Sequence, residues 1–138
     1  FNRGIVMGIS IRWADDEQTR LWFIFESTWT LDQFKQAVVD SAQMIRKQAH
    51  PVHLIADIRA VEALQMAIAV EGASFAARYI MPQLGAVVII NTNSLLKTAI
   101  TCVQGFLRPL AGRMYTVANP TLAERIITHV EDRSPLRV

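Results

Sequence analysis

The five residues Ala86-Val87-Val88-Ile89-Ile90 constrain this chain most. They form an uninterrupted apolar run bounded by Gly85 and Asn91. A strand with one wet face alternates apolar and polar residues. A short run without a polar break, β-branched from Val87 to Ile90, suits a strand covered on both faces. Strands of that kind pair in parallel, and parallel neighbours need long crossovers, usually helical. The remaining sequence must supply those crossovers and the neighbouring strands.

The start of the chain alternates Ile5, Met7, Ile9, Ile11 and Trp13 with Val6, Gly8, Ser10 and Arg12. Period two predicts a strand. Arg20 to Phe25 predicts a second strand, and the short polar connection Ala14–Gln18 makes the pair an antiparallel hairpin. A helix start follows. Thr30 is placed to cap, Gln33 stands three residues on, and Trp29 with Phe34 has the spacing of a hydrophobic staple. Leu31, Phe34, Val38, Ala42 and Ile45 repeat at helical spacing until Pro51 stops the run.

Val52–Asp57 reads as a third strand. The next helix is expected from Val61 or Glu62 to Ile80, with Leu64, Ala67, Ile68, Phe75 and Tyr79 inward and Gly72 allowing a close approach. After the run at 86–90, Asn93 or Ser94 is expected to cap a helix over 94–107. Met114–Val117 makes a last strand. The final helix has two rival starts. Asn119 can cap Pro120 at the first position, or Thr121 and Glu124 can form a capping box. It is expected to present Leu122, Ile126 and Val130, with a frayed polar tail after Glu131. The resulting fold class is α/β, one mixed β-sheet in β-β-α-β-α-β-α-β-α order, forming a single domain over 1–138 with its core at about 5–130.

Composition narrows the functional classes. Lys and Arg number 14 and Asp and Glu 12, a net charge of +2, which does not support nucleic acid as a partner. One cysteine leaves no internal disulfide and no Cys-rich zinc module. Ile5–Ile11 is too short for a secretory apolar region, and Tyr79–Leu96 is broken by Pro82, Asn91 and Asn93, so neither a leader nor a membrane span is expected, and a cytoplasmic location follows as the expectation. The charges are uneven. Residues 72–123 hold Arg78, Lys97, Arg108 and Arg113 and no acid. A weakly basic half can attract an anion or an acidic partner, and it also serves simply to keep an apolar domain in solution.

Few residues are placed for chemistry. Asp57 ends a strand at the carboxyl edge, the usual ligand side of an α/β sheet. With Arg59 it forms a candidate partner or anion surface, and equally a turn acceptor and local ion pair. Asn91-Thr92-Asn93-Ser94 ends the most buried strand and opens a helix, with Lys97 one turn on. Amides there suit an anion, although Asn and Ser need no ligand to explain them at a cap. His50 and His53 lack metal-ligand spacing across Pro51, and no metal or cofactor is expected. Cys102 sits in an apolar helix, where an inert thiol is the ordinary outcome. No catalytic set stands beside Asp57. The 94–107 helix is apolar on more than one side, so Leu95, Cys102 and Phe106 are candidate interface residues of a homodimer.

Three segments resemble the STAS and SpoIIAA-like domains, the anti-sigma-factor-antagonist family. They are Leu54-Ile55-Ala56-Asp57 running into Ile58-Arg59, then Ala86–Asn91 followed by Ser94-Leu95-Leu96-Lys97, then Met114–Val117 followed by Thr121-Leu122-Ala123-Glu124-Arg125. The resemblance covers about residues 5–130. It implies a noncatalytic regulatory or scaffolding domain that acts by contact with a protein partner, with a serine after the aspartate-ended strand as a phosphoswitch. Here that stretch reads Asp57-Ile58-Arg59-Ala60-Val61 and carries no hydroxyl, which fits a branch without the switch. The expected partner surface is Asp57, Arg59, Arg78, Asn93, Ser94 and Lys97. An alternative is a small-molecule, lipid or anion-binding module, with a cavity between helices and sheet and Tyr79, Asn91 or Arg113 at its mouth. An enzyme using Asp57 with a nearby Arg or His is a third reading.

Overall fold

The structure is a computed structural model and describes residues 8–133. Five strands form one sheet in the order β1-β2-β3-β4-β5, with β1 Ile9–Trp13, β2 Arg20–Phe25, β3 Val52–Asp57, β4 Leu84–Ile90 and β5 Met114–Val117. The β1–β2 pair is antiparallel and the other three pairs are parallel. Four helices accompany them: α1 Leu31–Arg46, α2 Met66–Ala77, α3 Lys97–Phe106 and α4 Pro120–Asp132. The expected α/β class with one mixed sheet is therefore observed. In detail the order gains two 3-10 turns, Ser94–Leu96 before α3 and Arg108–Leu110 after it. The start of the expected first strand at Ile5–Met7 and the tail over 134–138 lie outside the described residues.

The apolar run Ala86–Ile90 lies in the fourth strand. β4 lies between β3 and β5, and Ala86–Ile90 are all buried. Alternation sorts its residues between two cores. Val87 and Ile89 face the layer built from α1, α2 and α3, together with Ile9, Phe23 and Phe25. Val88 and Ile90 face α4, where they pack with Ile55, Ala123 and Ile127. The molecule is thus three layers deep.

Local chemistry sets the element ends. Thr30 accepts from the Gln33 amide while the Gln33 side chain accepts from the Thr30 amide, so the capping box exists as read. The Trp29 and Phe34 rings of the staple lie 6.2 Å apart. In the β1–β2 turn, Asp15 accepts from the Thr19 and Arg20 amides, and Gln18 takes a left-handed φ of 59°. Burial opposes ionisation of Asp15, but bonds from Thr19 and Arg20 outweigh it and lower its pKa. Asn119 settles the rival starts of α4, because its side chain accepts from the Leu122 amide with Pro120 in the first turn.

Two helix expectations are corrected. α2 begins at Met66, not at Val61 or Glu62, and ends at Ala77, not Ile80; its buried residues are Ala69, Gly72 and Ala73, whereas Ala67 is exposed. The segment is apolar around most of its circumference, so period alone gives its phase no anchor. Gly72 does permit a close approach, since a Cβ there would stand 3.3 Å from the Phe34 ring of α1. In α4 the buried residues are Ala123 and Ile127, while Leu122 is 36% exposed and Ile126 and Val130 are half-buried. The inward stripe is one residue out of phase with the expected one.

Candidate functional site

Asp57 ends β3 opposite Ile90, at the carboxyl edge of the sheet. Its Oδ1 accepts the Arg59 amide at 3.1 Å and Arg59 Nε at 2.9 Å, and its Oδ2 accepts Arg59 Nη2 at 2.7 Å. The carboxylate therefore stabilises the turn that follows the strand and grips a guanidinium with both oxygens. Hydrogen bonding from Arg59 holds the Asp57 carboxyl below its ordinary 3.8, against the opposite pull of burial. An aspartate engaged in this way is a turn acceptor and half of a local ion pair.

The loop after β4 reaches the same edge. Asn91 Oδ1 accepts the Asn93 amide at 3.0 Å, and Asn91 Nδ2 donates to the Asn93 carbonyl at 3.0 Å. Asn93 Oδ1 accepts the Leu95 amide at 2.9 Å, and its Nδ2 donates to the Glu62 carbonyl at 3.0 Å. Asn93 rather than Ser94 is the cap, and what it caps is a three-residue 3-10 turn. The amide an anion would want is already bonded to Asn93. Ser94 and Lys97 are exposed beyond it. Leu95, held between them, is 83% exposed.

The other expected residues do not join this edge. Arg78 caps the far end of α2, and its guanidinium carbon lies 5.5 Å from the Phe75 ring centroid, at the same distance as Lys35 Nζ. Phe106 is 43% exposed at the end of α3, roughly 16 Å from Leu95 along the helix axis by rise per residue. Cys102 is half-buried between them and is a free thiol. Among the described residues no group of three or more His, Cys, Asp or Glu side chains is placed to hold a metal ion, and no helix is long and apolar enough to cross a membrane.

A charged cluster that sequence reading did not find lies on the α4 side. Arg20 of β2 donates from Nε to both oxygens of Glu124, at 2.8 and 3.0 Å, and from its two terminal nitrogens to Glu131 at 3.2 Å each. His53 is buried. Its Nδ1 accepts the Ala86 amide at 3.0 Å, which leaves Nε2 to carry the proton of the neutral ring toward Glu131 Oε2 at 3.5 Å. Gly85 makes room for this ring, since a Cβ there would meet His53 Nδ1 at 2.6 Å. The cluster fastens α4 to the sheet from two acidic positions.

The second feature is an apolar cavity of about 220 Å³ between the sheet and the α1–α3 layer, where the small-molecule alternative requires one. Phe23, Phe25, Leu54, Ala56, Val87 and Ile89 line it from the strands, and Val38, Ala42, Ile68, Ala69, Gly72, Ala73, Ala76 and Ile100 from the helices. The lining side chains with a polar atom are Ser41, whose hydroxyl donates to the Val38 carbonyl at 2.9 Å, Tyr79 and Trp29. The cause is legible in α2. Ala69, Gly72, Ala73 and Ala76 line the space, and none of them is long enough to fill it. Tyr79 lines the cavity as the sequence reading expected of its mouth, whereas Asn91 and Arg113 do not.

No protein-family model and no curated protein matches this sequence. The geometry alone therefore carries the functional argument. The sequence signal for the cavity is the small-residue spacing Ala69, Gly72, Ala73, Ala76 opposite Ala56, which becomes readable once the phase of α2 is known. The α4 cluster leaves no such signal, because its members come from three distant segments.

Proposed function

We propose that this chain is a noncatalytic regulatory domain with a STAS-like arrangement, acting by protein contact at the carboxyl edge of its sheet, with a second copy of the chain as its first partner. The opening hairpin, the parallel strands and the helical crossovers support the arrangement. The observation that carries the contact is Leu95, which is 83% exposed on a loop tied down through Asn91 and Asn93. An apolar side chain held outward by a rigid loop loses little entropy when a partner covers it, so it makes an efficient anchor. Lys97 and the Asp57–Arg59 pair supply a polar rim. Ile58 and Arg59 stand where the family resemblance implies a phosphorylated serine, so the contact proposed here has no phosphoserine switch at that place.

Sedimentation equilibrium tests the reading. Wild type should self-associate reversibly at low salt, Leu95→Asp should weaken association at least tenfold, and Lys97→Glu should weaken it less and mainly at low salt. A wild-type chain that remains monomeric at millimolar concentration would overturn contact between copies.

A further inference from the structure

We infer that the cavity between the sheet and the α1–α3 layer binds the alkyl chain of an anionic amphiphile, a medium-chain carboxylate in its simplest form. This goes beyond the proposed protein contact and is independent of it. The cavity's reach argues for a chain. Ile58 and Leu96 border it at the carboxyl edge of the sheet, while Met81 and Met114 border it at the amino edge. A space that extends along the strands suits a long, thin guest. Its volume, about 220 Å³, exceeds that of a cavity of about 150 Å³ that stays dry and takes up benzene, so several methylenes fit without disturbing the walls. The walls offer dispersion contacts and almost no hydrogen bonds, which rejects a polar body and accepts a hydrocarbon one.

The sign of the head group follows from the amino edge. α2 runs back from the carboxyl edge, so the residues after it come to the amino edge, and Tyr79 is among them. The Tyr79 hydroxyl makes no hydrogen bond to another described residue. Arg113 immediately precedes β5, between the lining residues Leu110 and Met114. Its guanidinium donates to the carbonyls of Leu84, at 2.7 Å, and Pro109, at 3.0 Å, and meets no carboxylate among the described residues. Its charge is fixed in position by neutral acceptors and remains unneutralised. Of the four cations in residues 72–123, Arg78 follows α2, Arg108 follows α3 and Arg113 precedes β5, so three come to this edge and Lys97 stands at the other. A carboxylate leaving the cavity at this edge meets the Arg113 charge, with the Tyr79 hydroxyl among the lining groups, and an ammonium head meets repulsion.

Decanoate and decyltrimethylammonium, which share a chain and differ in the sign of the head, are the probes. Methyl-labelled protein titrated with decanoate should show shifts of the Leu54, Val87, Ile89 and Ile100 methyls, with a rise in melting temperature. Decyltrimethylammonium should bind at least tenfold more weakly. Tyr79→Phe should weaken decanoate by about tenfold to a hundredfold, the worth of one hydrogen bond to a charged group. Ala73→Leu should fill the space and abolish the methyl shifts; should that variant not fold, Ala76→Val makes the same test with less added volume. Unshifted lining methyls in wild type overturn the cavity as a binding site, as does undiminished decanoate binding in a folded filled variant. Equal affinity for the two heads overturns the anionic assignment. Leu95→Asp, which addresses the protein contact, should leave decanoate binding unchanged, so the two proposals fail separately.

Discussion

The two faces of the sheet are packed in opposite ways. On one side a single helix, α4, closes the surface. Ala123 and Ile127 are fully buried against Ile55, Val88 and Ile90, and Arg20 and His53 hold Glu124 and Glu131 from the strands. On the other side three helices make the cover, yet an apolar space of about 220 Å³ remains. More secondary structure does not give a denser core. The decisive quantity is the volume of the side chains at the contact: α4 brings Ile127 with Ala123, whereas α2 brings Ala69, Gly72, Ala73 and Ala76. The molecule can yield on one side only. The α4 face is a fixed wall, and the α2 face has room for a guest.

Truncation should expose that contrast most strongly. Ile127→Ala should cost about 4 kcal/mol, because its neighbours are closely packed and cannot collapse into the new space. Ile100→Ala, on the cavity side, should cost about 2 kcal/mol, because one flank of Ile100 already meets empty volume and there is less dispersion contact to lose. Urea denaturation of both variants checks the ordering. Equal losses would mean that the two faces are packed alike.

Enlargement should reverse the ordering. Ala123→Leu inserts bulk at a position with no exposed surface and should destabilise the protein by about 3 kcal/mol. Ala73→Leu places the same bulk beside the cavity and should stabilise it by about 1 kcal/mol. The opposite signs, read from denaturation midpoints at constant m-value, are a sharper test of the comparison than either magnitude alone.

Gly85→Ala probes the rigidity of the α4 side from within a strand. A strand normally prefers alanine to glycine. Here the added Cβ would lie 2.6 Å from His53 Nδ1, the atom that accepts the Ala86 amide. The ring must move, and its approach to Glu131 and the bond to Ala86 go with it. A loss of about 2 kcal/mol is expected. The His53 ring resonances should shift in the same variant, and an unchanged spectrum with unchanged stability would show that the ring has freedom the packing denies it.

The parts of this architecture that were legible in the sequence are those that depend on neighbours along the chain. The Thr30–Gln33 box, the Trp29–Phe34 staple and the cap at Asn119 are settled within a few residues, and all three stand in the structure. The run at 86–90 needs no partner to be recognised, since its β-branched residues and the flanking Gly85 and Asn91 mark a short strand covered on both faces. The phase of α2 was not legible, because Ala, Ile, Val and Gly surround the helix and leave no polar stripe to orient it. The 94–107 segment conceals its 3-10 entry for a related reason: Asn93 caps a tight turn or an α-helix with the same side chain. The clamp of Arg20 on Glu124 joins positions 104 residues apart, and nothing in either neighbourhood announces the other. Of the expected surface residues, Asp57 and Arg59 meet because they are two apart; Arg78 stands elsewhere because the sense of α2 carries it to the opposite edge.

The smallest effect concerns pH. Asp57 ionises more readily in the folded chain than when unfolded, because Arg59 donates to both of its oxygens. A carboxyl group shifted downward stabilises the folded state above its ordinary value of 3.8, and that contribution disappears as pH falls through the lower folded value. The pair stands at the surface, with the Arg59 side chain 41% exposed, so solvent screens it and the contribution should be under about 1 kcal/mol. Asp15 shifts in the same direction and gives both wild type and variant a common acid limb. Subtracting the stability of Asp57→Asn from that of wild type, between pH 6 and pH 3, therefore isolates Asp57. The difference should be flat down to about pH 4 and narrow below it, and the narrowing should diminish in high salt. A difference that stays constant to pH 3 would mean that the carboxylate serves the turn through its shape rather than its charge, and would remove the electrostatic part of the carboxyl-edge surface.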